Sequence, residues 1–243
     1  MQETGIQLYT LREQMAQDFL GTLDALAQAG IRRVELARDY GGLSGPALRA
    51  VLDERGLSAP SAHLALEPLE DDLEAQVQFL QTVGVRHAVY PYHRADTEAE
   101  WLALAARLER VAQALAAHGL TLSYHNHDHE LTQTFSGRPV LDLLLEAAPS
   151  VQAELDVAWI YAGGHDPVTY LRRYAGRLPL VHLKDVRREG EGWQTVALGE
   201  GEVPLHEVLA ALPAEVQPYY EQDQGGTLDT LRRSLGYLKT ASV

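Results

Sequence analysis

The sequence predicts a single (β/α)8 barrel, an α/β fold, as one domain over residues 1–243. Eight short runs rich in β-branched and aromatic residues each precede a longer helical pattern. The connections are short, as parallel strands joined by right-handed crossovers require. The length of 243 residues is close to the ~250 of a lone barrel of this kind.

The first strand is read over residues 5–9, followed by an amphipathic helix over 14–28. Residues 31–37 read as the second strand and 45–55 as a helix. A third strand spans 58–66 with a helix over 71–82, and a fourth spans 87–92 before the long helical segment 98–118. Residues 120–127, 151–158, 180–186 and 216–221 supply the last four strands, and the chain ends in a helix over 228–239. Gly30, Gly56, Gly84 and Gly119 each fall between a helical pattern and the next strand, where glycine supplies the left-handed cap of a helix C-terminus. The rival open doubly wound sheet lacks its G-x-G-x-x-G turn after the first strand. No linker, low-complexity tract or shift in composition divides the chain.

Composition narrows the function classes. Hydrophobic residues make up 46% and charged residues 22%, an ordinary globular balance. There is no cysteine, so disulfides and thiolate metal sites are excluded, in keeping with a reducing compartment. Met1–Thr4 shows neither a basic n-region nor an apolar run, so no secretory leader is expected and the expected location is cytoplasmic. No apolar stretch reaches the ~18 residues of a membrane span. With 34 acidic against 20 basic residues, the net charge is −14, which disfavours nucleic acid and anionic lipid as partners. A small molecule is the expected partner. The oligomeric state is left open, a homodimer included.

In a (β/α)8 barrel the C-terminal strand ends form the active face, and side chains two apart share a side of a strand. Strand five ends Tyr124-His125-Asn126-His127, pairing His125 with His127. Strand six reads Glu154-Leu155-Asp156-Val157, pairing Glu154 with Asp156. Strand seven reads Val181-His182-Leu183-Lys184, pairing His182 with Lys184, and strand eight carries Glu221. The earlier strands end in Tyr9, Glu35, His63 and His93. A lone histidine at a strand end is more often structural than a ligand. Of the ten histidines, His87, His118, His129, His165 and His206 lie elsewhere and read as structural, but the other five all fall at active-face strand ends. Imidazoles and carboxylates gathered there call for a cation. Lys184, one of only two lysines, either assists catalysis by stabilising an oxyanion or moving a proton, or forms a salt bridge with Glu221, Asp185 or Asp223. Arg188, just beyond the seventh strand, is a candidate contact to substrate oxygens, and the Gly199-Glu200-Gly201 turn is a candidate lid.

At these residues the sequence resembles the xylose-isomerase-like TIM-barrel superfamily of sugar isomerases and epimerases, which also holds inosose dehydratases and the endonuclease IV type of repair enzyme. The resemblance runs through Gly5–Arg12, Tyr124–Asp128, Glu154–Trp159, Val181–Asp185, Leu198–Glu202 and Tyr220–Asp223. It implies one divalent ion, most often manganese, held by Glu, Asp, His and Glu from strands five to eight. Asp156, His182 and Glu221 match three of these, and His125 stands where the family's first glutamate is common, with His127 as the fallback. Two nitrogen ligands favour Mn, Fe, Co, Ni or Zn over Mg. Strand six lacks the histidine that endonuclease IV carries three residues after its aspartate and has Trp159 instead, which argues against DNA repair and offers an apolar wall to a sugar.

The leading expectation is therefore a metal-dependent sugar isomerase or epimerase working through an enediolate. Glu221 would be the base, with His125, His127 or Lys184 handling the second proton, and Tyr9, Glu35, His63, His93, His127, Trp159 and Arg188 would contact the sugar. The alternative is a lyase or dehydratase on a keto-sugar or keto-cyclitol, which the unlike His125/Glu221 pair suits nearly as well. A non-catalytic sugar-binding barrel is the third reading.

Overall fold

Eight parallel strands close into a barrel in sequence order: β1 (Gly5–Gln7), β2 (Arg33–Leu36), β3 (Ser58–His63), β4 (His87–Tyr90), β5 (Thr121–His125), β6 (Gln152–Asp156), β7 (Leu180–Leu183) and β8 (Gln217–Tyr220). The computed structural model describes residues 3–37 and 40–241. Met1 and Gln2, read above as part of the leader test, and the extreme C-terminal residues of the 1–243 span lie outside them. The ring closes where Gly5 pairs with Tyr219 and Ile6 with Tyr220. Among the described residues no helix is long and apolar enough to cross a membrane.

Outward-facing side chains such as Val34, Leu36, Leu122, Leu155, Val181 and Leu183 are fully buried and join one large cluster with the surrounding helices. Burial of this kind on both faces is what lets a parallel sheet persist. Among the described residues, Val89, Leu180 and Tyr219 form a small separate apolar cluster inside the barrel. Such interiors are ordinarily filled by branched aliphatic side chains. Here Gln7, Glu35, Ser61, Ser123, Glu154 and His182 are all wholly buried instead.

The expected glycine caps hold: Gly30, Gly56, Gly84 and Gly119 take φ of 91°, 62°, 97° and 73°. Several boundaries move, each for a local reason. The expected helix 14–28 is two helices, Arg12–Gln17 and Phe19–Gln28, because Asp18 is extended and caps the second by accepting from the Gly21 N–H. Asp72 does the same before Leu73–Val83, accepting from Ala75. Strand six stops at Asp156 rather than 158, since that carboxylate caps the helix Val157–Ala162. Strand seven stops at Leu183, and Asp185–Glu189 turns away as a hairpin with Gly192–Val196. The hairpin's first residue also settles the candidate lid. Asp185 accepts from the backbone N–H groups of Gly199 and Gly201, both at 2.9 Å, and of Val203 at 3.1 Å. The loop is tied down at its base, so the lid expectation is withdrawn.

Candidate metal centre

His125 ends β5, Asp156 ends β6, His182 sits inside β7, and Glu221 follows β8. All four are buried, and one ligand atom from each lies within 4.8 Å of the others. The strand-five member of this group is His125. His127 stands beside it on the cavity wall, edge-on to His125 and stacked against Trp159 with ring centroids 6.1 Å apart.

Local structure fixes each member. Asn126 accepts from the Asp156 N–H at 3.0 Å and so ties β5 to β6. Asp156 Oδ1 accepts from Ala158 and Trp159 as a helix cap, which leaves Oδ2 buried with no hydrogen bond of good geometry. That oxygen lies 4.0 Å from His125 Nε2 and 2.8 Å from Lys184 Nζ. The ammonium also stands 2.9 Å from Glu221 Oε2 and 2.7 Å from Asp223 Oδ2. Lys184 is thus the centre of a buried carboxylate trio, as the salt-bridge reading required for Glu221 and Asp223, with Asp156 in the place of Asp185.

Beneath the quartet lies a second group, His63, His125, Glu154 and His182, also with ligand atoms within 4.8 Å. Glu154 Oε2 is 2.8 Å from His63 Nε2, 3.1 Å from His125 Nδ1 and 3.4 Å from His182 Nε2. Glu35 Oε2 is 2.7 Å from His182 Nε2, 3.2 Å from His63 Nε2, and accepts from Gln7 Nε2 at 2.7 Å. Glu35, expected to meet the sugar, is completely buried below the cavity and bonds histidines instead.

The charges follow from this packing. Burial opposes protonation of His63, but Glu35 and Glu154 outweigh it and push the imidazole up to about 10. Burial likewise works against His182, which its surrounding carboxylates Glu154, Glu221 and Glu35 raise well above the usual range. Burial would raise Glu221, yet Lys184 and His182 hold it well below the carboxylate range. For Asp156 burial wins over Lys184 and pushes the carboxyl up to about 6. Burial, reinforced by Lys184, takes His127 down to about 3. At neutral pH the group therefore holds ionised Glu221 and Asp156, protonated Lys184, and neutral His127.

A cavity of about 870 Å³ opens above. Its wall includes Tyr9, His63, His125, His127 and Glu221, together with Arg12, which the sequence reading did not select. The Arg12 guanidinium lies 4.4 Å from the Tyr9 ring centroid and donates to the Asp223 carbonyl. His93 and Arg188 are placed otherwise. His93 packs edge-on against Trp101, and its carbonyl is 2.7 Å from His129 Nε2. Arg188 is exposed on the hairpin, over the Trp193 ring. Glu154 shares a strand face with Asp156 in the sequence, but alternation alone gives it no role in the site.

Comparison with known proteins bears on the fold and the family. The chain is 28% identical to an inosose dehydratase of Geobacillus kaustophilus over 194 residues, covering 69% of this chain and 62% of that protein. It is 29% identical over 197 residues to the rhizopine catabolism protein MocC of Rhizobium meliloti, covering 68% and 57%. These matches span about six-tenths of the relatives' length. A sugar phosphate isomerase/epimerase structure from Parabacteroides distasonis superposes with a TM-score of 0.82 at 22% identity, over 98% of this chain and 93% of that one, which speaks for the fold. The family model described as xylose isomerase-like TIM barrel matches residues 18–217, and by that match the chain belongs to the xylose isomerase-like TIM-barrel family.

Proposed function

We propose that this chain is a divalent-metal-dependent lyase that removes water from a keto-cyclitol or keto-sugar. The carrying observation is an unlike pair on the cavity wall, the Glu221 carboxylate and the His63 imidazole. Elimination of water needs one base for the carbon-bound proton and one acid for the departing hydroxyl. An epimerase uses two matched carboxylates to exchange protons on opposite faces, whereas the second carboxylate on this wall, Asp223, follows the same strand as Glu221 and is held by Lys184 Nζ at 2.7 Å. The inosose dehydratase name carried by curated relatives from several bacteria supports the same order, so the lyase reading moves ahead of the isomerase one.

His125, Asp156, His182 and Glu221 would hold the ion. Their donor set of two imidazoles and two carboxylates, with ligand atoms within 4.8 Å of one another, suits Mn, Zn, Co, Fe or Ni. When bound, the ion would polarise the substrate carbonyl and acidify the adjacent C–H. Glu221 takes that proton, His63 gives one to the leaving hydroxyl, and Tyr9 walls the ring. Lys184 keeps Glu221 ionised rather than meeting substrate, since its Nζ is enclosed by three carboxylates.

Sugar isomerisation or epimerisation is the second reading, favoured by neutral His127 on the same wall, which could carry a second proton. Turnover of a keto-cyclitol and keto-sugar panel by manganese-loaded protein in heavy water separates the two. A product lighter by one water is expected, and a mass-conserving product carrying deuterium would favour the second. Full turnover by Glu221→Gln would sink both.

A further inference from the structure

Each histidine of the quartet is two-faced. His182 turns Nδ1 to Glu221 at 2.8 Å and Nε2 to Glu35 at 2.7 Å. His125 turns Nδ1 to Glu154 at 3.1 Å and Nε2 toward Asp156. The upper nitrogens face the quartet and the lower ones face a buried carboxylate. An imidazole can offer a lone pair on one side only if the other nitrogen carries the proton, unless it is stripped to imidazolate.

We infer that Glu154 and Glu35 are positioning residues that fix the tautomers of His125 and His182, leaving His125 Nε2 and His182 Nδ1 as the quartet's nitrogen donors. This rests on the metal reading of the quartet. Carboxylates behind metal-bound histidines orient the ring and raise its basicity, and both are built for that here. Glu35 and Glu154 are 0% exposed, and the second oxygen of each, Oε1, has no hydrogen-bond partner. Two ionisable groups placed this deep cost free energy that a packing role does not repay. His63 holds the pair together, with Nε2 between the two carboxylates and its ring stacked on His182 at 5.4 Å and 7°. The lower group is not assigned a second ion, because filling both groups would demand both nitrogens of His125 and of His182.

The test uses full-length protein labelled with 15N-histidine and loaded with zinc. Long-range proton–nitrogen NMR is expected to place the proton on Nδ1 of His125 and on Nε2 of His182. Metal titration should give one ion per chain. Glu154→Met should weaken manganese binding ~10–100-fold, with Glu154→Gln, which keeps an acceptor without the charge, restoring part of it. Circular dichroism checks that the variants fold, and the tautomer measurement on the unmodified protein stands if they do not. Opposite tautomers, unchanged affinity in both variants, or two ions per chain with one lost in Glu154→Met would overturn the inference. A wild-type protein that binds no ion would instead bring down the metal reading itself.

Discussion

Lys184 Nζ lies 2.8 Å from Asp156 Oδ2, with both side chains wholly buried. A charge pair that far from water is held by its partners, and removing one member leaves the other uncompensated. Glu221 and Asp223 share the same ammonium, so the consequences reach the whole candidate centre.

Replacing Lys184 by methionine keeps the chain length and removes the cation. The metal-free protein is expected to lose about 3–5 kcal/mol of stability, read from urea unfolding. Manganese should then raise the melting temperature of Lys184→Met more than that of the wild type, because the ion would meet carboxylates with no internal partner. Equal shifts in the two proteins would count against this.

Asp156 has two separable roles, one for each oxygen. Asp156→Asn keeps an oxygen to cap Ala158 and Trp159 but loses the charge, whereas Asp156→Ala loses both. The alanine variant should be less stable than the asparagine variant by about 1 kcal/mol, the usual worth of a cap. Both should bind manganese poorly. Thermal melts paired with metal titration read the two effects independently.

Glu130 links stability to pH. Burial outweighs its hydrogen bonds from the Tyr124 hydroxyl and the His127 N–H and pushes the carboxyl up to about 7. The folded value lies above the unfolded one, so its contribution is complete below about pH 4.5 and fades as pH rises through 7. The loss is up to about 3 kcal/mol. Denaturant midpoints from pH 5 to 8 should fall with this slope in the wild type and be flatter in Glu130→Gln.

Adding and withdrawing metal gives a direct check on the quartet. An ion that binds only the folded chain stabilises it by about 2.7 kcal/mol at a hundredfold excess over Kd. A chelator should reverse the gain. The Asp156→Asn protein should show little of either response.

The strand ends and their chemistry were legible in the sequence. Period-two alternation put Glu154 with Asp156 and His182 with Lys184 on the inner side of their strands, and the structure keeps both pairings inside the barrel. What alternation does not give is height. Glu35 and His63 both end strands, yet Glu35 pairs in register with Ser61, two residues before His63. Strands in a closed barrel are staggered by the shear, so Glu35 falls to the lower layer while His63 reaches the cavity wall. The same limit applies to Lys184, whose position was visible but whose three carboxylate partners come from β6 and the segment after β8.

The sequence by itself determined the order of strands and helices, the glycine caps, and the gathering of histidines and acids at one end of the barrel, because these depend on local pattern and spacing; the four-ligand set among them is what the family resemblance implies. The tertiary structure alone decided that Glu35 and Glu154 lie behind the histidines of the set and that Lys184 is enclosed among acids. Those facts are set by how staggered strands from distant parts of the chain meet in a closed ring, where charge is shared across strands that no stretch of sequence places side by side.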